Sequence, residues 1–217
     1  MPRRILPPSF YARDTLTVAR ALVGKLLVHD APQGRVAGRI VEVEAYIGES
    51  DPACHAARGL TPRTAPLYGP PGRAYVYLNY GLHLLLNAVT EAAGRPAAVL
   101  LRALDPVEGE SLMRLRRHGA ADAGGAASGL CSGPGNLGRA MGITLAENTA
   151  PLTRGALTIQ DDGYPAPEVV WTPRIGVAMG ADRYWRCASR EHAAVSGPRR
   201  LLVDGRATPL PPIAPVA

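Results

Sequence analysis

Residues 36–46 read Val36-Ala37-Gly38-Arg39-Ile40-Val41-Glu42-Val43-Glu44-Ala45-Tyr46. The second half alternates apolar and polar side chains with a period of two, the signature of a β-strand. That spacing sets Val41, Val43 and Ala45 on one face and Glu42, Glu44 and Tyr46 on the other. Such a strand needs neighbours for its backbone and a layer over its apolar face.

Working outward, Asp14 caps a helix through Thr15, Leu16, Val18, Ala19, Leu22 and Val23, closed by Gly24. Lys25 to His29 reads as a buried strand. Ala74 to Leu86 carries a turn signal, Asn79-Tyr80-Gly81-Leu82, between two strand-like runs, which predicts a β-hairpin. Ala98 to Leu104 is a further strand. Asp105-Pro106 reads as the cap and first turn of a helix through Leu112, Met113 and Leu115, ending at Gly119. A shorter helix follows Ser132-Gly133-Pro134. Leu157 to Gln160, Val169 to Thr172 and Ile175 to Ala178 read as strands. No regular βαβ alternation is present, so the expectation is a mixed α/β (α+β) domain around a mainly antiparallel sheet with flanking helices.

The 217 residues suit one domain, expected to span 1–217. Loose order is expected at residues 1–11, at Gly119 to Ser128 and at Pro209 to Ala217. No apolar run approaches the ~20 residues that cross a bilayer. Arg3 and Arg4 are not followed by the apolar stretch of a secretory signal, so a soluble cytoplasmic protein is expected. Cys54, Cys131 and Cys187 are scattered and odd in number, against a disulfide framework or zinc module. No metal or cofactor is expected.

The formal net charge is +6, which favours a polyanionic partner. Lys25 is the sole lysine; every other cation is arginine. That purity is compositional, but it leaves one candidate for chemistry that needs a lysine amine. Eight of eleven aromatic residues are tyrosines, and five of those eight fall between Tyr46 and Tyr80. Clustered tyrosines suit a surface that stacks flat groups, worth ~1–3 kcal/mol per base. They equally suit an ordinary strand-rich region, where tyrosine has high propensity. Glu44 beside Tyr46 reads either as a general base next to a stacking platform or as a solvated strand face. His55 reads as a packed or surface histidine as readily as a catalytic one. P-loop, serine-hydrolase and zincin motifs are missing from the sequence.

Taken together, Glu44-Ala45-Tyr46, His55, Arg58-Gly59, Thr61-Pro62-Arg63, Tyr75-Val76-Tyr77-Leu78-Asn79-Tyr80-Gly81 and Asn87 resemble the 3-methyladenine (alkyladenine) DNA glycosylase family. Leu100-Leu101-Arg102-Ala103-Leu104, Leu130-Cys131-Ser132-Gly133-Pro134 and Arg174-Ile175-Gly176-Val177 continue the pattern in order, over roughly residues 12 to 197. Near the end only Trp185-Arg186 and Val195-Ser196-Gly197 match, and Cys187 stands where the family usually has an aromatic.

The resemblance implies a curved antiparallel sheet with a protruding hairpin, and removal of alkylated or deaminated purines from double-stranded DNA by a monomer. Glu44 would activate water. Arg102 and a backbone carbonyl of the 174–177 segment would position it. Tyr46, His55 and Tyr77 would sandwich the flipped base, Asn87 would reject guanine, and Tyr80 would fill the gap in the duplex. Other readings are a glycosylase-lyase using Lys25 or the Pro2 amine, a non-catalytic nucleic-acid-binding module, and a nucleosidase acting on free nucleosides.

Overall fold

The computed structural model describes residues 2–119 and 124–212. The chain opens with β1 (Arg4–Ile5), α1 (Pro8–Tyr11) and α2 (Thr15–Leu22). Five antiparallel strands follow: β2 (Leu26–Ala31), β3 (Gly34–Ile47), the hairpin β4 (Ala74–Asn79) and β5 (His83–Val89), then β6 (Ala97–Glu108). The second half contributes α3 (Glu110–His118), α4 (Pro134–Met141), β7 (Leu157–Asp161), β8 (Val169–Thr172), β9 (Arg186–Ser189) and α5 (Arg200–Val203). The strands form one curled antiparallel sheet in the order β1-β7-β2-β3-β6-β5-β4, with β8 and β9 attached beside the C-terminal half of β3. This is the expected mixed α/β class.

β3 is the organising strand. Its first half pairs with β2, residues 42–44 pair with β9, and its other edge runs along β6. The main core lies on one face, where Val18, Leu22, Met113, Leu137 and Met141 of α2, α3 and α4 cover Ile40, Val43 and Ala45. Asp14 caps α2 as expected, its carboxylate accepting from the Thr17 amide at 3.0 Å. The expected grouping of Val41 with Val43 and Ala45 is corrected. Val41 packs in a separate cluster with Ala103, Val170 and Ala188. The β3–β6 register shifts on either side of Glu42, so Val41 and Arg102 each lack a cross-strand partner. These two irregularities cancel, and the strands regain register from Val43↔Leu101 onward.

Three further expectations are corrected. Asp105-Pro106 does not start a helix: β6 continues through both, opposite Arg39 and Gly38, and the proline sits beside a register shift where no ladder donor is needed. α3 starts after Gly109, whose φ of +76° is coupled to a close approach: a Cβ there would lie 2.4 Å from the Arg35 carbonyl oxygen. Ile175 to Ala178 is not a strand but an irregular segment, reversed at Gly176. Residues 4–11 are ordered, with β1 paired to β7 and Tyr11 fully buried.

Within 119–128, residues 120–123 lie outside the described residues, while Ala127–Gly129 form a 3-10 turn. Of the expected loose tail, 213–217 lie outside the described residues, and the Leu210 carbonyl accepts from the Trp185 indole at 2.7 Å. Strand β9 was not foreseen, because Arg-Cys-Ala-Ser lacks the β-branched and aromatic residues that mark strands. No helix among the described residues is long and apolar enough to cross a membrane.

α4 holds the hairpin. Gly138 lies so close to β5 that a Cβ would fall 2.1 Å from the Leu84 carbonyl oxygen. Gly138→Ala is therefore expected to destabilise the fold by ~1–3 kcal/mol through overpacking against backbone. Gly129→Ala, with no atom within 4 Å of its Cβ, should be near neutral. Denaturant unfolding of both variants tests this.

Candidate active site

Strand alternation divides the hairpin between two tasks. Ala74 and Val76 enter the main core, while Tyr75 and Tyr77 point to the opposite face beside Cys54, Leu67 and Ala98. There a cavity of about 380 Å³ opens, within the ~300–1,000 Å³ range of small-molecule sites. Tyr46, His55, Tyr77, Tyr80, Asn87 and Arg102 all line it. The structure thus gathers six of the seven site candidates, from β3, β4, β5, β6 and two loops, around one space. The seventh, Glu44, lies fully buried beneath the wall.

Three donors converge on Glu44. Its Oε1 accepts from the Ile175 amide at 2.7 Å; its Oε2 accepts from the Tyr46 hydroxyl at 2.8 Å and from Arg102 Nη1 at 3.1 Å. A carboxylate buried with these partners is fixed in position and orientation. Burial, then the Glu44 charge that the phenol touches, pushes the Tyr46 hydroxyl well above its ordinary range. Tyr46 is therefore a neutral donor.

Arg102 is shared. Its Nε donates to Glu42 at 2.8 Å while Nη1 reaches Glu44. Glu42 is fully buried and also accepts from Arg186 Nε at 2.6 Å and from the Ser196 amide at 2.6 Å. A second buried pair ties the loops together. Arg174 grips Asp51 through both oxygens at 2.6 and 2.8 Å and donates to the Ala45 carbonyl at 3.0 Å. Its guanidinium lies 4.7 Å from the Tyr46 ring centroid. Asp51 in turn accepts from the Ile47 and Ala53 amides, so the loop carrying His55 is anchored to the segment that donates to Glu44.

His55 Nδ1 lies 2.8 Å from the Tyr75 hydroxyl, and its ring meets the Tyr77 ring edge-on with centroids 4.5 Å apart. Burial, reinforced by Arg63 and Arg58, holds the imidazole pKa below its ordinary 6.5. Asn87 Nδ2 donates to the Tyr75 carbonyl at 3.0 Å, which fixes the direction of the amide. Burial pushes the Cys54 thiol up to about 12, so this wall residue stays protonated.

Tyr80 is 87% exposed at the hairpin tip. Tyr80 and Gly81 both have positive φ, +48° and +70°, and the Leu82 amide closes the turn onto the Asn79 carbonyl at 3.0 Å. This left-handed reversal takes Tyr80 out of strand phase and brings it to the cavity that Tyr75 and Tyr77 line. Of the five clustered tyrosines only Tyr68 stands outside the cavity, bonded to Glu49.

Sequence reasoning missed Glu42, Asp51, Arg186 and Ser196. Glu42 shares the strand phase of Glu44, and Arg186 and Ser196 lie in the last two blocks that match the family, which were usable signals; Asp51 carries none without the fold.

The site is thus a buried carboxylate beneath a cavity walled by flat rings. A family model described as "Methylpurine-DNA glycosylase (MPG)" matches residues 9–193. A protein of Methanocella arvoryzae is 48% identical over 200 residues, covering 88% of this chain and 96% of its own. One of Myxococcus xanthus is 51% identical over 174 residues, covering 79% and 81%, and one of Rubrobacter xylanophilus 48% over 181, covering 83% and 91%. All three bear the name "Putative 3-methyladenine DNA glycosylase". The chain belongs to the methylpurine-DNA glycosylase family: it is a DNA glycosylase, a hydrolase of the N-glycosidic bond.

The depressed His55 pKa carries a sign. An unfolded histidine takes up its proton near pH 6.5, the folded one only at lower pH, so in that window the unfolded chain binds more protons. Stability therefore falls as pH drops through it. Unfolding measured from about pH 7.5 to about pH 5.5 should show a larger loss for the native chain than for His55→Gln.

Proposed function

We propose that this protein is a monofunctional glycosylase that flips damaged purines out of duplex DNA and hydrolyses their glycosidic bond, leaving an abasic site. The substrate class is 3-methyladenine, 7-methylguanine, hypoxanthine and ethenoadenine. The observation that carries this reading is the three-donor hold on Glu44 under a cavity walled by Tyr46, His55 and Tyr77.

A base inside a stack is unreachable, so the nucleotide is extruded, at a cost of a few kcal/mol that is smaller for a damaged or mispaired base. Tyr80, exposed on a turn whose backbone fixes its direction, fills the space left behind. The extruded base stacks among Tyr46, His55 and Tyr77. Bond cleavage sends the electron pair out with the base and leaves positive charge on the sugar, as in glycoside hydrolysis. Water adds to the sugar carbon and its proton passes to Glu44. Arg102 and a carbonyl of the 174–177 segment align that water, and the Ile175 amide keeps the carboxylate turned toward it. Asn87, held by the Tyr75 carbonyl, occupies the space that guanine's exocyclic amine needs. Arginines such as Arg58 and Arg63, on the loops beside His55, supply charge for the phosphates.

The lyase reading is disfavoured by a specific contact. Lys25 Nζ pairs with Asp161 at 2.9 Å and is not among the residues lining the cavity. Strand breaks should accordingly appear only after alkali treatment of the excised duplex.

Glu44→Gln keeps shape but removes the charge and the proton acceptor. Single-turnover base release should fall at least ~10²-fold, while lesion affinity is retained. Near-normal release by this variant would remove Glu44 from the mechanism. Asn87→Ser should raise excision of guanine from mispairs relative to hypoxanthine. No relative gain in competition between the two duplexes means that Asn87 does not gate the pocket.

A further inference from the structure

We propose that Glu42, a carboxylate that does not line the cavity, is a positioning residue for base excision: it fixes the Arg102 guanidinium against Glu44 and takes up part of its charge. The inference rests on the role given to Glu44 above.

The geometry is unusually complete. Glu42 Oε1 accepts from Arg102 Nε at 2.8 Å, Arg186 Nε at 2.6 Å and the Ser196 hydroxyl at 2.9 Å, and Oε2 accepts from the Ser196 amide at 2.6 Å. Arg186, also fully buried, spends its other nitrogens on the Thr172 hydroxyl at 2.8 Å and the Ser196 carbonyl at 2.6 Å. Glu42 is thus pinned by β6, β9 and the loop at Ser196, while Arg186 ties in β8. Arg102 is in turn fixed by two carboxylates acting on two different nitrogens, which sets both its position and its plane. The cancelling register shifts on either side of Glu42 place Arg102 at the unpaired position of β6.

The charges sharpen the point. Glu44 is faced by Arg102 from β6, Tyr46 on its own strand, Tyr77 from β4, and Arg174 with the Ile175 amide from the irregular segment. Arg186 stands opposite Glu44 in the β3–β9 register. Asp51 answers Arg174. Among the described residues, Glu42 is the carboxylate paired with Arg186 and with Arg102 Nε, while Arg102 Nη2 reaches the Ser196 hydroxyl at 3.4 Å. Burial alone would push the Glu42 carboxyl up, but the Arg186 and Arg102 charges outweigh it and hold its pKa below the ordinary 4.5. Without that charge, Glu44 would face Arg102 and Arg186 alone, and the added positive field would oppose transfer of a proton to it. Buried ion networks contribute little net stability against apolar replacements, which makes a positioning role the better account of this one.

The test is single-turnover excision from a hypoxanthine duplex across pH, alongside affinity for a duplex bearing a tetrahydrofuran abasic site. Glu42→Gln is expected to slow excision at least ~10-fold, since small misplacement of a positioned group costs up to ~10²-fold. Affinity should stay within about twofold, the mark of a group used in the chemical step. The acidic limb of the rate profile should move to lower pH, and Glu42→Asp, which restores the charge, should return the limb toward its native place. An unchanged rate and profile, or a rate loss that tracks affinity with an unmoved limb, overturns the inference. If Glu42→Gln does not fold, Ser196→Ala decides: loss of the hydroxyl that donates to Glu42 and accepts from Arg102 Nη2 should slow excision ~3-fold at unchanged affinity, and a native rate overturns it. Glu44→Gln run in parallel separates the two claims. Near-normal release there overturns the reading of the site itself; its collapse beside a native-like Glu42→Gln overturns only this inference.

Discussion

Two carboxylates on a strand buried on both faces must be compensated inside the protein, and much of the architecture answers that constraint. β3 has partners along both edges and a helical layer on one side, so Glu42 and Glu44 are withdrawn from bulk solvent. Removing an ion from water without partners costs several kcal/mol even after relaxation. The compensation comes from far along the chain: Arg102 from β6, Arg186 from β9, and amides of Ile175 and Ser196 from loops. The short strands β8 and β9 thereby bring cations to β3 as well as extending the sheet.

The opposite demand shapes the hairpin. On the hairpin side the cavity is lined by rings that stay uncharged, across from the Arg102 guanidinium. Tyr75 and Tyr77 meet this demand, because burial pushes the Tyr77 phenol up to about 12, and His55 meets it because burial and neighbouring arginines disfavour its cation. Their backbones are anchored on the core side by Ala74 and Val76, and by α4 packed on β5 through Gly138. Tyr80 is the exception, an aromatic side chain kept in solvent on a left-handed turn. The wall is backed by the core, and the tip projects into solvent.

The two halves of the site are joined by Asp51 and Arg174. This pair links the His55 loop to the segment that donates to Glu44, and its guanidinium faces both the Tyr46 and Trp185 rings. A displacement of either loop would therefore be felt at the carboxylate as well as at the stacking wall.

Much of this was legible in the residues. Period-two alternation predicts β3 and the hairpin, Asp14 announces α2, and the ordered blocks from Glu44 to Val177 carry the family and its candidate side chains, since each rests on local spacing. The sequence alone misplaced what depends on neighbours. Asp105-Pro106 has the local chemistry of a helix start, yet pairing with β3 holds it extended. Ile175 to Ala178 has the apolar content of a strand, but its amide goes to Glu44 instead of a ladder. Val41 leaves its predicted face because a bulge is decided between two strands, never within one. Side-chain identity and period thus determined which elements form and which groups are available. Only tertiary structure decided that Glu42 and Arg186 join Arg102 and Glu44 in one buried network, because the compensation of a buried charge is a property of the space around it.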